Sequence, residues 1–305
     1  MKTWLDKLNP IYEGLPYMEI EGESISYPCV AEIKLDGEFQ YLIKKDGKTY
    51  LADKQVYGRI RTDMPVTNVD IPDNSVFLAE LVWNAGKSFY EFARHKLDAD
   101  CNLGIFSCVR YKGEDLWGKV PYTEVRDLLE KQTFYNNKVV LIPAIQVADS
   151  QELKDLFDRL VANGYEGLVA KQPNSKYVNG KTLLWTKRKF EDEADLVIVG
   201  YQTGTKRAKN LSVLLGHLVN GQVKQLTHCG GGFNLAEKAT LLKVLQGCKV
   251  VGKQKDDILV EPQIVVKIIH NGIIRNPDGS ANSLRHPRFD RFRFDKTVAE
   301  IDTIK

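Results

Sequence analysis

The chain has 305 residues, 43% of them hydrophobic and 10% aromatic, which supplies a proper core in a length above the usual single domain and excludes a largely disordered protein. A formal charge of +3, from 43 basic and 40 acidic residues, permits a nucleic-acid partner without requiring one. The five cysteines (Cys29, Cys101, Cys108, Cys229, Cys248) form none of the close pairs of a zinc knuckle or redox motif, MKTWLDKLNPIYEG lacks a signal-peptide core, and no stretch approaches a membrane span, so a cytoplasmic protein without membrane contact is expected.

Residues 38–52, EFQYLIKKDGKTYLA, alternate apolar and polar positions on both sides of Asp46-Gly47. That pattern predicts a hairpin with Lys34 at its mouth. Further strands are expected at 76–83, 103–111, 138–148, 166–171 and 183–189. A helix is expected over 151–163, capped by Ser150, with Leu153, Leu156, Phe157, Leu160 and Val161 on one face and Gly164 at its end. Strands with interspersed helices suggest an α+β domain of largely antiparallel sheets. The acidic stretch Glu191-Asp192-Glu193 reads as a hinge between domains spanning 1–190 and 191–305. Beyond it, ADLVIVGY (194–201), GGGFN (230–234) and a helix over 235–246 ending at Gly247 suit a five-stranded oligonucleotide-binding barrel. The segment 285–296 gathers Arg285, Arg288, Arg291, Arg293 and Lys296 against only Asp290 and Asp295. Its period of two sets Arg291, Arg293 and Asp295 on one face and Phe292 and Phe294 on the other, as in a half-buried strand with an apolar anchor.

Several positions carry potential chemistry. Lys34-Leu35-Asp36-Gly37 sets a lysine beside a carboxylate and a glycine; a lysine amine can attack the α-phosphorus of a nucleotide and hold the nucleotide as a phosphoramidate. Such an amine must be unprotonated, which desolvation and nearby cations favour. Glu80 lies inside the apolar run Val76-Phe77-Leu78-Ala79-Glu80-Leu81, where a lone carboxylate needs a ligand or partner. Glu166 and Lys171 stand at opposite ends of a short apolar strand. Lys187 and Lys189 fall on one face of another, an arrangement that suits a polyphosphate.

Taken in order, these residues resemble the covalent nucleotidyltransferases and, within them, the ATP-dependent DNA ligases; the likeness runs from Glu32 to Lys296. It implies a nucleotidyltransferase domain of ATP-grasp-like antiparallel sheets with helices, followed by a C-terminal OB-fold β-barrel. By this resemblance Lys34 is the adenylylated lysine and Asp36 and Gly37 complete its motif. Glu32 belongs with the cofactor-binding residues, Glu80 binds the ribose and Phe106 stacks on adenine. Glu166, with Glu80, holds the metal; Lys187 and Lys189 bind phosphates; Arg293, Asp295 and Lys296 form the last motif. The implied cofactors are ATP, carried as AMP on Lys34, and Mg²⁺ or Mn²⁺, and the implied partner is nicked duplex DNA bound by a monomer. Lys54, Arg59, Lys206, Arg207, Lys209, Arg285, Arg288 and Arg291 are the candidate DNA contacts. SKYVNGKTLLWTKRK (175–189), VGYQTGTKRAKNLSVLLGHL (199–218) and SLRHPRFDRFRFDK (283–296) are similar to DNA ligases in particular. The chain departs from the pattern at Phe39, where an arginine is usual, and at Asp53-Lys54, where Ser-Arg is usual and only Lys54 keeps the charge. The competing readings are an mRNA-capping-type guanylyltransferase, an RNA ligase, and a binding barrel beside an inactive nucleotidyltransferase domain.

Overall fold

The computed structural model describes residues 14–54, 60–83, 101–203, 211–276 and 278–304. The chain divides into two compact units, one ending at Lys189 and the other starting at Phe190. No described helix is long and apolar enough to cross a membrane.

The strands of the first unit are β1 (Met18–Gly22), β2 (Cys29–Lys34), β3 (Glu38–Lys45), β4 (Lys48–Ala52), β5 (Ile60–Arg61), β6 (Ser75–Trp83), β7 (Cys101–Tyr111), β8 (Glu114–Asp115), β9 (Val139–Leu141), β10 (Ala144–Val147), β11 (Gly167–Lys171) and β12 (Gly180–Lys189). Its described α-helices are α1 (Tyr122–Glu130) and α2 (Ser150–Ala162). One sheet has the order β1-β12-β11-β2-β10; the other runs β5-β4-β3-β6-β7-β8, with β9 on β7. All pairings are antiparallel except β1 with β12 and β7 with β9.

The expected hairpin forms between β3 and β4, with Asp46 at φ 51° and Gly47 at φ 72°, the mirror-image turn that matches strand twist. The single strand expected over 138–148 is instead two. β9 joins β7 in the larger sheet and β10 joins β2 in the smaller one, and the break falls at Pro143, which has no N–H to continue a ladder. The strand expected from 183 begins at Gly180 because β1 supplies a parallel partner, Met18 opposite Gly180. The cap of α2 is Asp149, not Ser150: its side chain accepts from the Gln151 and Glu152 amides, both at 2.9 Å, and Ser150 is the first helical residue. Helix α1 was not expected, since Pro121 at its N-cap offers no side-chain acceptor.

Leu153, Leu156 and Leu160 of α2 cover Cys29, Ala31, Leu168 and Ala170 on one face of the smaller sheet. The opposite face, carrying Val30 and Trp185, packs with Tyr41, Ile43 and Leu78 of the larger sheet. Because Val30, Glu32 and Lys34 alternate with Ala31 and Ile33 along β2, Lys34 ends its strand on the side turned toward the second sheet.

The second unit contains β13 (Asp192–Thr203), β14 (Leu211–Val219), β15 (Gln222–Cys229), α3 (Leu235–Gly247), β16 (Val250–Gln254), β17 (Asp257–Val260), β18 (Val265–His270), β19 (Ile273–Arg275), β20 (Ala281–Leu284) and β21 (Arg288–Phe292). Pairing runs β15-β14-β13-β18-β21, and a bridge from Gly231 to Arg288 brings β21 back to the end of β15. Five strands therefore close on themselves, as expected for the barrel. Leu196, Ile198, Val213, Leu215, Val266 and Ile268 point inward, and Leu241 and Leu245 of α3 complete the core. The acidic stretch read as a hinge is not a linker throughout: Asp192 and Glu193 already pair with His270 and Ile269.

Candidate active site

Register assembles the site in the first unit. Across β2, β11 and β12 the rows read Lys34, Gly167, Lys189; then Glu32, Val169, Lys187; then Val30, Lys171, Trp185. Residues directly opposite in antiparallel pairs share a face, so five ionisable side chains from distant parts of the sequence meet on one side of the sheet. Glu166, immediately before β11, lies between the two outer lysines. Its Oε2 accepts from Lys34 Nζ at 2.5 Å, and its Oε1 lies 2.9 Å from Lys189 Nζ. Gly167 has φ +146°, and a Cβ there would lie 2.0 Å from the Arg188 carbonyl oxygen. Only glycine lets β11 start between the lysines.

Lys187 is held below the usual lysine range by partial burial and by the ammonium groups of Lys189 and Lys34. Glu80 sits half-buried on β6, opposite Phe39 and Gly104. Burial raises its pKa to about 8; Lys34 opposes the rise, the carboxylates of Glu166 and Asp36 add to it, and the Gly37 N–H opposes it by hydrogen bonding. Gly37 approaches so closely that a Cβ would lie 2.3 Å from Leu81 O and 2.9 Å from Glu80 Cγ. Burial thus favours the protonated form of Glu80.

Glu32 and Lys171 are 3% and 1% exposed and form a buried ion pair. The other oxygen of Glu32 accepts from Tyr122 Oη at 2.6 Å, with Arg126 Nη1 at 3.7 Å. The Lys171 ammonium also lies 4.2, 4.7 and 5.7 Å from the ring centres of Trp185, Tyr122 and Phe106, an aromatic enclosure that partly replaces its hydration. Burial lowers the Lys171 pKa and the Glu32 charge opposes the shift. Both oxygens of Glu32 are thus taken by the protein. Tyr122 and Arg126 belong to the unexpected helix α1, which is why the pattern of motifs gave no sign of this network.

Phe106 is half-buried, 6.1 Å from Phe39 between ring centres. Phe39, in the place of the usual arginine, packs edge-on against Tyr17 and Tyr41 at 5.4 and 4.9 Å. Lys54 donates to Tyr17 Oη at 3.2 Å and lies over its ring. Arg61 pairs with Glu38 at 3.2 Å. Asp36 lies two residues beyond the end of β2 and has a partner. Arg59, Lys206, Arg207 and Lys209 lie outside the described residues.

In the second unit the strand expected through residue 295 stops at Phe292. Its partner β18 begins at Val265, opposite that point, so the chain has no ladder to continue; Lys296 N closes a turn onto Arg293 O at 3.2 Å. The apolar anchors are Phe289 and Phe292, and Phe294 is 91% exposed. Arg293 is fixed from both sides. Its Nε and Nη2 donate to Asp295 at 2.9 and 2.7 Å, and its Nη1 donates to both oxygens of Asp195 at 2.8 and 2.6 Å. Lys296 Nζ donates to the same Asp195 at 2.6 Å. Burial would raise the Asp195 pKa, but Lys296 and Arg293 outweigh it and hold the carboxyl below its ordinary range. Asp195 was not singled out, although it stands in the apolar run ADLVIVGY and the reasoning applied to Glu80 would have found it. Arg288 pairs with Glu191, Arg291 pairs with Asp290 at 2.7 Å, and Arg285 also has a partner.

Residues 21–189 match the family described as ATP dependent DNA ligase domain, and residues 206–296 match the ATP dependent DNA ligase C terminal region. The chain belongs to the ATP-dependent DNA ligase family. DNA ligase 1 of Methanosarcina mazei is 29% identical over 90% of this chain and 57% of its own length, so the chain spans little more than half of that relative. A solved structure named Pmar-Lig_Pre. superposes with TM-score 0.72 at 22% identity, over 92% of this chain and 67% of the other. A Lig E DNA ligase solved as a minimal DNA-binding scaffold gives TM-score 0.61 at 18% identity, over 92% and 99%. The ligase fold, a nucleotidyltransferase domain followed by an OB-fold barrel, is therefore the fold of this chain.

Proposed function

We propose that the chain is an ATP-dependent DNA ligase that seals nicks in duplex DNA through AMP held on Lys34. The observation that carries this reading is the row Lys34, Gly167, Lys189 with Glu166 between the lysines, in a chain of the ligase family. Lys34 Nζ attacks the α-phosphorus of ATP: a P–N bond forms, the bond to pyrophosphate breaks, and the amine proton is lost. AMP then passes to the 5′-phosphate of the nick, and the 3′-hydroxyl displaces it. These are in-line displacements in which positioning and charge neutralisation do most of the catalysis.

Lys187 and Lys189 meet the phosphates from the same face as Lys34, and Phe106 offers the adenine a half-buried ring. The raised pKa of the half-buried Glu80 favours donation to a sugar hydroxyl over ligation of a cation. Mg²⁺ binds through one or two carboxylates together with substrate phosphates. Glu166 is the carboxylate placed to hold it, and the ion would supply Lewis-acid neutralisation of phosphate charge. One copy of the chain carries every residue used, so the reading is of a monomer.

Incubation with a nicked duplex and ATP, GTP or NAD⁺ in turn tests the proposal. Sealing with ATP is expected. Sealing only with NAD⁺, or covalent labelling by GTP without sealing, would overturn it.

A further inference from the structure

Two lysines of the first unit rest on aromatic rings, and they differ in what neutralises them. Lys171 lies over Phe106, Tyr122 and Trp185, is buried, and is paired with Glu32. Lys54, two residues beyond the end of β4, is exposed. Its ammonium lies 4.8 Å from the ring centre of Tyr17 and donates to Tyr17 Oη at 3.2 Å, and no carboxylate among the described residues pairs with it. A ring face and a hydroxyl hold the ammonium without cancelling its charge, and two of its three N–H donors stay available.

Tyr17 is itself held in place. Its N–H donates to Asn179 Oδ1 at 3.2 Å, and its carbonyl accepts from the Gly180 N–H at 2.9 Å, which ties it to the start of β12. Its ring meets Phe39 edge-on at 5.4 Å, and Phe39 in turn lies 6.1 Å from Phe106. The ring that carries Lys54 therefore continues the half-buried aromatic wall offered to adenine. Phe39 adds no charge to this wall, so its exposed charge comes from Lys54. Tyr17 docks at the Gly180 end of β12, whereas Lys187 and Lys189, which meet the nucleotide phosphates in the reading above, occupy the opposite end. An exposed cation preset at the edge of the wall suits a phosphate that arrives from solvent beside the bound nucleotide.

We infer that Tyr17 is a positioning residue for DNA: its ring and hydroxyl hold the Lys54 ammonium where a backbone phosphate of the nicked duplex binds. The inference rests on the ligase reading and supplies the device that places one of its candidate DNA contacts.

Binding of the full chain to a nicked duplex, followed by fluorescence anisotropy across a salt series, tests it with Lys54→Ala, Tyr17→Leu, Tyr17→Phe and the pair of Tyr17→Leu with Lys54→Ala. Lys54→Ala should weaken binding by roughly tenfold near 0.1 M salt. It should also make the slope of log K against log salt shallower by about 0.9, the contribution of one neutralised phosphate. Tyr17→Leu should weaken binding by roughly threefold to tenfold, and by less than about twofold when Lys54 is already alanine. Tyr17→Phe keeps the ring and loses the hydroxyl, and should fall between the parent and Tyr17→Leu. The KM for ATP in adenylylation reports on the other source of phosphate, the nucleotide, and should not follow these losses. An unchanged salt slope in Lys54→Ala, equal losses from Tyr17→Leu in the two backgrounds, or Tyr17→Phe binding no better than Tyr17→Leu would overturn the inference. So would a rise in KM for ATP that matches the loss in DNA binding. A parent chain that binds no nicked duplex at any salt would instead overturn the ligase reading.

Discussion

The two ionic clusters of this protein are built differently. On the sheet of the first unit three lysines, Lys34, Lys187 and Lys189, gather around Glu166, leaving standing positive charge at a partly open surface. In the barrel, Arg293 and Lys296 are matched one for one by Asp195 and Asp295. The first arrangement can attract a polyphosphate and change partners during a reaction; the second is closed, and serves best by holding one group in place. A cluster's surplus charge, more than its number of charged residues, shows where an anionic substrate is expected.

The largest effect should follow from removing the nucleophile. Lys34→Ala is expected to abolish the covalent nucleotide adduct and multi-turnover sealing while leaving slow closure of a pre-adenylylated nick. Denaturing gels with labelled ATP and a pre-adenylylated duplex separate the two activities, and label persisting in the variant would reassign the nucleophile.

The buried pair two rows away provides the contrast of charges with no surplus and no exposure. Lys171→Met takes from the buried Glu32 its direct ammonium partner, leaving Tyr122 and the more distant Arg126, and should destabilise the first unit by about 3–5 kcal/mol, whereas adding Glu32→Gln should restore much of the loss. Urea unfolding of the single and double variants measures both, and equal destabilisation of the two would show that packing rather than charge dominates.

Glu80 gives a smaller, pH-dependent effect. Its folded pKa of about 8 lies above the ordinary glutamate value of 4.5, so between those values the folded state binds more protons than the unfolded one and stability falls as pH rises. Glu80→Gln removes this penalty. The variant should gain on the parent by something on the order of 2–4 kcal/mol at pH 8, and by little near pH 5. A difference between the two proteins that stays flat from pH 5 to 8 would show that Glu80 is not buried as a carboxylic acid.

Much of the fold was legible in the sequence. The Asp46-Gly47 hairpin, the apolar face of α2 and the strand opening at 194–201 are local patterns, and local patterns are what periodicity reports. The division of 138–148 between two sheets and the early start of β12 were not legible, because each depends on a partner strand far along the chain. The same holds for the candidate site. Lys34, Glu80, Glu166, Lys187 and Lys189 stood out as charges in apolar or motif-bearing contexts, and register brings Lys34, Glu166, Lys187 and Lys189 together. Lys171 stood out too, but its pairing with Glu32 did not, and Tyr122 and Arg126 act through tertiary contacts that no spacing announces. Phe294 was misplaced because alternation alone does not show where a partner strand ends.

The central claim is that Lys34 is the group that accepts AMP. Incubation of the chain with ATP and Mg²⁺, followed by intact-mass measurement and mapping of the modified peptide, tests it directly. The account predicts one adenylyl group per chain, on the peptide containing Lys34, released by added pyrophosphate; an unmodified chain, or an adduct on any other residue, would contradict it.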